Sequence, residues 1–358
     1  MPIRILFNVL ADEENVNAQS LNARDIALRL DPQRFESSMF VLNQPDHRLV
    51  NRKHIRLIQL PPRLGSLVIA SHLIWGKYGV VFYPPFNHLM DWYDALIWMG
   101  RQKKRIATVE GTADTLEATP SPIKEGLLRM VREADACYAI SSHIAETMLS
   151  KFGIEMSVVP IGVDTCMFEP CDRANHVPPA RVLYVGSIQP RKQIDLILDL
   201  AKEIPPQEGE FHIIGNVIGA SAYRDGLFNR KVEGKLDHVH FHGKLLQSEV
   251  CEWMQQCDIL ILPSRFEGTP KVVFEAAATG LPCIVFDDYH TPLVVDGITG
   301  FQVKTFEEML QRLRDLIQNR ELRLGMGIAG VEHARKFDWE VVIKQWERIF
   351  LDVASEKI

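Results

Sequence analysis

The segment of this sequence that is most informative about chemistry contains two glutamates, Glu267 and Glu275. They lie within residues 263–282, where the pattern predicts a strand, a loop, a helix and a second strand. The helix is nearly all Val, Phe and Ala, which predicts burial. A carboxylate on a buried helix needs a partner, because burying an unpaired charge is costly. For Glu275 that partner is either the hydroxyls of a bound sugar or ribose, or an arginine of the protein itself.

The ends of this helix are marked by residues with strong positional preferences. Thr269 is predicted to be the N-cap, and Pro270 suits the first helical position. Gly280 suits a left-handed C-cap. Glu267 is therefore expected in the loop before the helix, and Glu275 within it.

The rest of the chain predicts the scaffold that positions this segment, because short apolar strands alternate with helices. Strands are predicted at residues 3–9, 38–42, 54–60, 79–83, 105–109, 136–140 and 157–161, and again at 181–186, 211–214, 238–242, 258–262 and 283–286. Helices are predicted at 17–30, 122–133 and 142–152. This alternation is typical of an α/β protein with parallel sheets, arranged as two facing doubly wound, Rossmann-like domains.

A polar stretch with two prolines, RANHVPPAR at 173–181, separates the two series of strands and is predicted to be a linker. We therefore expect one domain at residues 1–172 and a second at 178–338. Ligands of doubly wound sheets bind at the carboxyl ends of the strands. The cleft between the two domains is accordingly the expected site.

Charge and motif content disfavour several classes of protein. The 358 residues carry a net charge of −6, which argues against a nucleic-acid partner. Neither a Gly-x-Gly-x-x-Gly after the first strand nor a Gly-x4-Gly-Lys-Ser/Thr occurs, which disfavours a dinucleotide dehydrogenase and a P-loop kinase. The six cysteines show no CxxC spacing, and no uncharged run reaches the roughly 18–20 residues that span a bilayer. We expect a cytoplasmic protein.

Five further motifs, together with Glu267 and Glu275, resemble the family 4 retaining nucleotide-sugar glycosyltransferases, which have the two-domain GT-B fold and a Glu-x7-Glu signature. The motifs lie at 135–141 (DACYAIS), 159–164 (VPIGVD), 185–192 (VGSIQPRK), 296–301 (DGITGF) and 337–340 (FDWE). They follow the order of the family and cover nearly the whole chain. The resemblance implies that the first domain binds the acceptor, that the second binds the donor, and that a final helix at 339–358 crosses back to the first.

The resemblance also implies a role for each matched residue. Glu275 would hold the ribose hydroxyls, and Glu267 would contact the transferred sugar and face the reacting carbon. Lys192 matches the lysine that meets the charge of the leaving nucleoside diphosphate. The backbone N–H groups of Gly268 and Thr269 would bind sugar or phosphate oxygens at the helix N-terminus. The family works without a metal, and this sequence has no Asp-x-Asp motif, so neither metal nor cofactor is expected.

Two departures from the family pattern affect the expected diphosphate site. The family has arginine after the glycine that matches Gly186, whereas this chain has Ser187. Arg191 either supplies the missing charge or is a solvated residue at a helix start. Asn17 replaces a glycine of the first loop, which restricts close approach of the backbone but adds a side-chain donor.

Two more departures concern the donor sugar. Glu110 stands where the family generally has histidine, and Pro292 stands where a donor-side glutamate is expected. Glu110 is predicted to accept a hydrogen bond from a sugar hydroxyl or amine, or to act as a base towards the acceptor. The alternative is a solvated loop glutamate.

Two weaker patterns carry structural interpretations that we favour. His238, His240 and His242 alternate along one predicted strand, a spacing that zinc could use, but no cysteine or carboxylate pattern supports it. A second set combines basic side chains with aromatic ones and is predicted either to be solvated or to contact an anionic membrane peripherally through the first domain. Its members are Arg48, Arg52, Lys53, Arg56, Arg63, Trp92, Tyr93, Trp98, Arg101, Lys103, Lys104 and Arg105.

The resemblance implies a retaining, metal-independent glycosyltransferase that moves a sugar from a nucleotide-diphosphate sugar to an acceptor hydroxyl. The acceptor would be a saccharide, a lipid-linked molecule or a small molecule. A sugar-nucleotide epimerase or a phosphorylase on the same fold is an alternative. A catalytically silent nucleotide-sugar-binding protein is another, since Ser187, Glu110 and Pro292 depart from the family.

Overall fold

The computed structural model describes residues 1–15, 18–83, 103–111, 116–117, 119, 121–173, 176–217, 221–265, 267–289 and 291–355. The chain divides into two compact units, Met1–Gly162 with Trp339–Ile358, and Val163–Asp338. Each unit contains a parallel sheet and the helices that connect its strands. The prediction of two Rossmann-like α/β domains is confirmed.

The first unit contains a seven-stranded sheet in the order β3-β2-β1-β4-β5-β6-β7. Strands β1 to β7 are Ile3–Leu10, Phe35–Val41, Ile55–Gln59, Val80–Tyr83, Lys104–Val109, Ala136–Ala139 and Ser157–Val158. Its described helices are α1 (Ala18–Arg29), α2 (Gly65–Trp75), α3 (Ser121–Arg132) and α4 (Ser142–Phe152), and a further helix, Trp339–Ser355, comes from the end of the chain. Helix α2 is not among the predicted helices, because its residues are apolar on every side and show no helical period.

The C-terminal helix belongs to the first unit because its apolar face completes that core. Trp346 and Phe350 are both almost fully buried. The ring of Phe82 lies 5.4 Å from that of Trp346, and the ring of Phe7 lies 6.0 Å from that of Phe350. Phe7 and Phe82 are on the central strands β1 and β4, so the chain terminus covers the middle of the sheet.

The second unit contains a six-stranded sheet in the order β10-β9-β8-β11-β12-β13. Strands β8 to β13 are Ala180–Val185, Gly209–Ile214, Val239–Gly243, Ile259–Leu262, Cys283–Phe286 and Gly300–Val303. Helices α5 to α10 are Ile194–Glu203, Ser221–Glu233, Gln247–Gln256, Lys271–Thr279, Phe306–Gln318 and Arg320–Ala334, and we number the C-terminal helix α11. No helix within the described residues is both long and apolar enough to cross a membrane.

The chain passes between the units earlier than the linker composition predicts. The structure divides at Gly162 and Val163, not after Asp172. Residues before the polar stretch already bond to the second unit, since Met167 accepts a hydrogen bond from Cys251 and Cys171 donates one to Gln255. Arg173, a buried side chain, donates hydrogen bonds to three carbonyl groups of the same unit. The polar stretch therefore begins with a residue that is part of the second core.

Candidate functional site

The predicted catalytic residues lie at the carboxyl ends of two paired strands of the second unit. Lys192 ends a short 3-10 helix, Pro190–Lys192, that follows β8, and Glu267 follows β11. β8 and β11 pair directly, but the chain leaves β8 towards β9 and leaves β11 towards β12. This is the point where the strand order reverses, and open α/β sheets bind their ligands there.

Lys192 and Glu267 form a buried ion pair. Their side chains are 11% and 9% exposed, and Nζ of Lys192 donates a short hydrogen bond to Oε1 of Glu267. Burial lowers the pKa of Lys192 from its ordinary value of 10.5, and the nearby Glu267 carboxylate opposes this effect. The site therefore holds a desolvated cation whose charge depends on an anion beside it.

Arg191 supplies a second cation on the open side of this pair. Its Nη1 lies 3.5 Å from Oε1 of Glu267, and its side chain is 51% exposed. Two positive charges thus converge on one carboxylate oxygen. An anionic group that enters from solvent reaches Arg191 and Lys192 together.

The N-terminus of α8 lies directly after Glu267 and offers an unsatisfied donor. Pro270 is the N-cap, and it makes no side-chain hydrogen bond to the helix. The prediction that Thr269 caps this helix is therefore wrong by one residue, because the chain enters the helix through the fixed backbone of Pro270. The Thr269 hydroxyl is buried and has no partner among the described residues, and Gly268 is half-buried beside it. A buried hydroxyl at a helix N-terminus is suited to meet an oxygen-rich ligand.

Gly186 and Ser187 form the turn after β8, where the sequence lacks the expected arginine. The Ser187 hydroxyl accepts a hydrogen bond from Nε2 of Gln189 at 2.7 Å, and the backbone carbonyl of Ser187 accepts one from the Tyr184 hydroxyl. A Cβ on Gly215 would lie 1.7 Å from the carbonyl oxygen of Gly186. The turn is therefore held by three residues that the sequence analysis did not identify.

Glu275 is buried within α8, as predicted. Its Oε1 accepts a hydrogen bond from Nε2 of Gln247 at 3.1 Å, and Gln247 is the first residue of α7. Glu275 therefore accepts from a neutral side-chain amide, whereas Glu267 accepts from the ammonium group of Lys192.

Of the two candidate residues in the first unit, one is described. Glu110 follows β5, is 9% exposed and accepts a hydrogen bond from Nδ2 of Asn22 on α1 at 3.0 Å. The prediction of a solvated loop glutamate is thus wrong for this residue, since α1 covers it. Asn17 lies outside the described residues.

Arg265 is a charged side chain of the same loop that the sequence analysis did not single out. Its guanidinium lies 2.6 Å from Oδ2 of Asp288 and 4.0 Å from the centre of the Phe286 ring. Its backbone N–H donates to the carbonyl of Arg191 at 3.5 Å, which ties the loop after β11 to the 3-10 helix after β8. Arg265 lies two residues before Glu267 in the sequence. Its two side-chain partners come from elsewhere, Phe286 from β12 and Asp288 from the turn after it.

The alternating histidines take part in a ring stack. The ring of His212, on β9, lies 5.3 Å from that of His240 and 5.3 Å from that of His242. His238 contacts other groups, the carbonyl of Ala201 and the ring of Phe211. Within the part of the chain that the structure describes, no group of three or more His, Cys, Asp or Glu side chains is placed to hold a metal ion.

Sequence comparisons match part of the second unit to a known family model. Residues 179–319 match the family model described as "Glycosyl transferases group 1". An uncharacterized glycosyltransferase of Methanocaldococcus jannaschii is 28% identical over 181 residues, 48% of each chain. D-inositol 3-phosphate glycosyltransferase of Nocardia farcinica is 28% identical over 273 residues, 68% of this chain and 60% of that protein. The chain thus spans about half to three fifths of the length of these relatives.

Solved structures extend the similarity of fold to nearly the whole chain. Sucrose-phosphate synthase of Thermosynechococcus elongatus superposes with a TM-score of 0.81 at 18% identity, over 98% of this chain and 99% of the other. The Anabaena protein HepE, in complex with UDP and glucose, superposes with a TM-score of 0.80 at 17% identity, over 98% and 100%. The chain therefore has the fold of the GT-B glycosyltransferases, and residues 179–319 of its second unit match the group 1 glycosyl transferase model.

Proposed function

We propose that this protein is a retaining glycosyltransferase that moves a sugar from a nucleotide-diphosphate sugar to an acceptor hydroxyl without a metal. The observation that carries the proposal is the convergence of Lys192, Arg191 and Glu267 at the β8/β11 switch point. Two cations and a helix N-terminus there suit a diphosphate. The carboxylate suits a sugar that develops positive charge at its reacting carbon.

The proposed reaction breaks the bond between the anomeric carbon and the diphosphate oxygen, and the electron pair leaves with the diphosphate. Lys192 and Arg191 stabilise the charge that grows on this leaving group. The acceptor oxygen bonds to the same face of the anomeric carbon, and its proton passes to an oxygen of the departing diphosphate. Glu267 positions the sugar and stabilises the oxocarbenium-like charge, and Glu275 holds the ribose.

The relatives and structural neighbours indicate which substrates to test first. HepE is described in complex with UDP and glucose and with UDP-glucose, so UDP-glucose is the first donor. Curated relatives named D-inositol 3-phosphate glycosyltransferase make a sugar-alcohol phosphate the first acceptor class. Glu110, a buried carboxylate at the carboxyl end of β5, is proposed to accept a hydrogen bond from a hydroxyl of one of these substrates.

The test measures donor binding and turnover in the same preparations. A thermal-shift panel of UDP, GDP, ADP and dTDP sugars should give one clear response, because a ligand at 100 times its Kd stabilises by about 2.7 kcal/mol. The responding donor is then assayed with candidate acceptors, and Glu267→Ala and Lys192→Ala should each lower transfer by at least about a hundredfold. Near-native transfer by both variants contradicts the site assignment. Binding without transfer or hydrolysis favours the silent binder, and conversion of the donor without an acceptor favours the epimerase.

A further inference from the structure

Helix α2 of the first unit is apolar on the face that it turns to solvent. Its buried face is formed by Ile69, Ala70 and Leu73. On the opposite side Leu67 is 67% exposed and Trp75 is 76% exposed, and Leu64, directly before the helix, is 54% exposed. Residues three or four positions apart share one side of a helix. Leu64 and Leu67 are three positions apart, and Ser71 lies four positions from both Leu67 and Trp75, so the three apolar side chains lie along one side of α2 with a serine among them. We call Leu64, Leu67 and Trp75 the outer stripe.

The chain segment that contains the outer stripe is rich in basic residues. The sequence from His47 to Met90 contains no Asp or Glu. It contains five exposed basic residues, and within the described part of the chain none of them forms an ion pair: Arg52, Lys53, Arg56, Arg63 and Lys77. Arg63 and Lys77 flank α2 in the chain, and Arg56 lies close enough to His72 on α2 to lower the pKa of that imidazole, after the larger effect of burial.

We propose that the outer stripe and its basic border bind the surface of an anionic lipid bilayer. An exposed Trp and two exposed Leu side chains supply apolar contact at the headgroup boundary, and the unpaired cations supply attraction to anionic headgroups. The eleven residues of α2 are about 16 Å long, roughly half of the ~30 Å hydrocarbon core, so the helix lies in the interface and does not span it. This surface is separate from the Lys192–Glu267 site, and the proposal does not depend on glycosyl transfer.

The experiment is co-sedimentation of the full chain with lipid vesicles. We expect binding to phosphatidylcholine vesicles that contain about 30% phosphatidylglycerol, weak binding to pure phosphatidylcholine, and loss of binding at about 0.5 M salt. The double variant Leu67→Ser and Trp75→Ser should bind about tenfold or more weakly. The double variant Arg63→Glu and Lys77→Glu should lose about twentyfold or more at low salt, at about fivefold for each cation removed.

A matched control uses equally exposed apolar residues of the second unit. Val232 is 75% exposed and Ile328 is 72% exposed, and the double variant Val232→Ser and Ile328→Ser should bind vesicles like the wild type. Circular dichroism melting shows that each variant is folded. The proposal is overturned if the wild type ignores anionic vesicles, or if the outer-stripe variant binds as well as the control. It is also overturned if sedimentation equilibrium without lipid reveals a dimer that the outer-stripe substitutions dissociate, since the face then belongs to a second copy.

Discussion

Replacing Glu267 by glutamine should strengthen the binding of free UDP while it abolishes most sugar transfer. In the structure, Oε1 of Glu267 accepts a hydrogen bond from Nζ of Lys192 and lies 3.5 Å from Nη1 of Arg191. Under the proposed function, these are the two cations that the diphosphate needs. The carboxylate therefore competes with the diphosphate for Lys192 and repels it once it has bound.

The size of the effect follows from the geometry of the ion pair. Two oxygens that share one ammonium group lie about 4.5 Å apart when each is at a charge-assisted hydrogen-bond distance. Two unit negative charges at that separation repel by roughly 3–4 kcal/mol at an effective dielectric constant of 20. Arg191 and the solvent on its exposed side screen part of this repulsion, and a glutamine no longer supports the protonated form of Lys192. We therefore expect a net gain of about 1.5 kcal/mol, or about tenfold in Kd.

The assay is isothermal titration of UDP into the wild type, Glu267→Gln and Glu275→Gln at one ionic strength. Glu275→Gln is the matched control, because it neutralises a second buried carboxylate that contacts Gln247 and not Lys192. It should leave UDP affinity unchanged or weaker. If Glu267→Gln binds UDP no better than the wild type, the competition between carboxylate and diphosphate is refuted. If it binds UDP as predicted but retains full transfer, Glu267 has no role in the chemistry.

The UDP affinity of the wild type should fall as the pH rises through the pKa of Lys192, which burial lowers below 10.5. The UDP affinity of Lys192→Arg should stay constant over the same range, as measured by calorimetric titration at each pH. Burial lowers the pKa of His212 from 6.5 to about 4. As the pH falls from 6.5 to 4, the unfolded chain therefore protonates this imidazole while the folded protein does not, and the free energy of unfolding decreases. His212→Gln removes this imidazole and leaves the neighbouring titratable groups in place. In urea titrations the decrease should therefore be smaller than in the wild type by up to about 3 kcal/mol. Arg173→Lys should lower the free energy of unfolding by about 2–4 kcal/mol, because the carbonyls of Met254, Cys257 and Thr279 bind three different nitrogens of the guanidinium and the single nitrogen of a lysine cannot reach all three positions. An unchanged urea midpoint would contradict this.

The sequence predicts the strands of both sheets well because each is a short apolar run bounded by turn residues. One strand, β13, and one described helix of the first unit, α2, were not predicted, and in the second unit only helix α8 was predicted. Helix α2 carries Leu, Val, Ile and Trp on both of its sides, so it has no polar face from which a helical period could be detected. Strand β13 at Gly300–Val303 begins inside the DGITGF motif at 296–301, and its residues GFQV do not form an apolar run.

The candidate site was predictable only where a motif carries the side chain itself. Glu267, Glu275 and Lys192 lie within recognisable motifs. The side chains with which they form hydrogen bonds are distant in sequence. Gln247 is 28 residues from Glu275, and Glu267 is 75 residues from Lys192. Parallel sheets join strands through long crossovers, so neighbours at one sheet edge are remote in sequence. The side-chain partner is therefore the part of a site that sequence spacing does not give.

The Lys192–Glu267 pair also explains how a nearly buried lysine can keep its positive charge. Burial alone would drive Lys192 towards its neutral form, because desolvation penalises an ammonium ion. Glu267 offsets that penalty, and Arg191 shares the same carboxylate oxygen, so the three groups carry a net charge of only +1 without ligand. A donor diphosphate that displaces the carboxylate would find a lysine already protonated, and the released carboxylate would then be free for the sugar. On this reasoning the Lys192–Glu267 contact keeps the lysine charged before the donor binds, and its loss on binding leaves Glu267 free to contact the sugar.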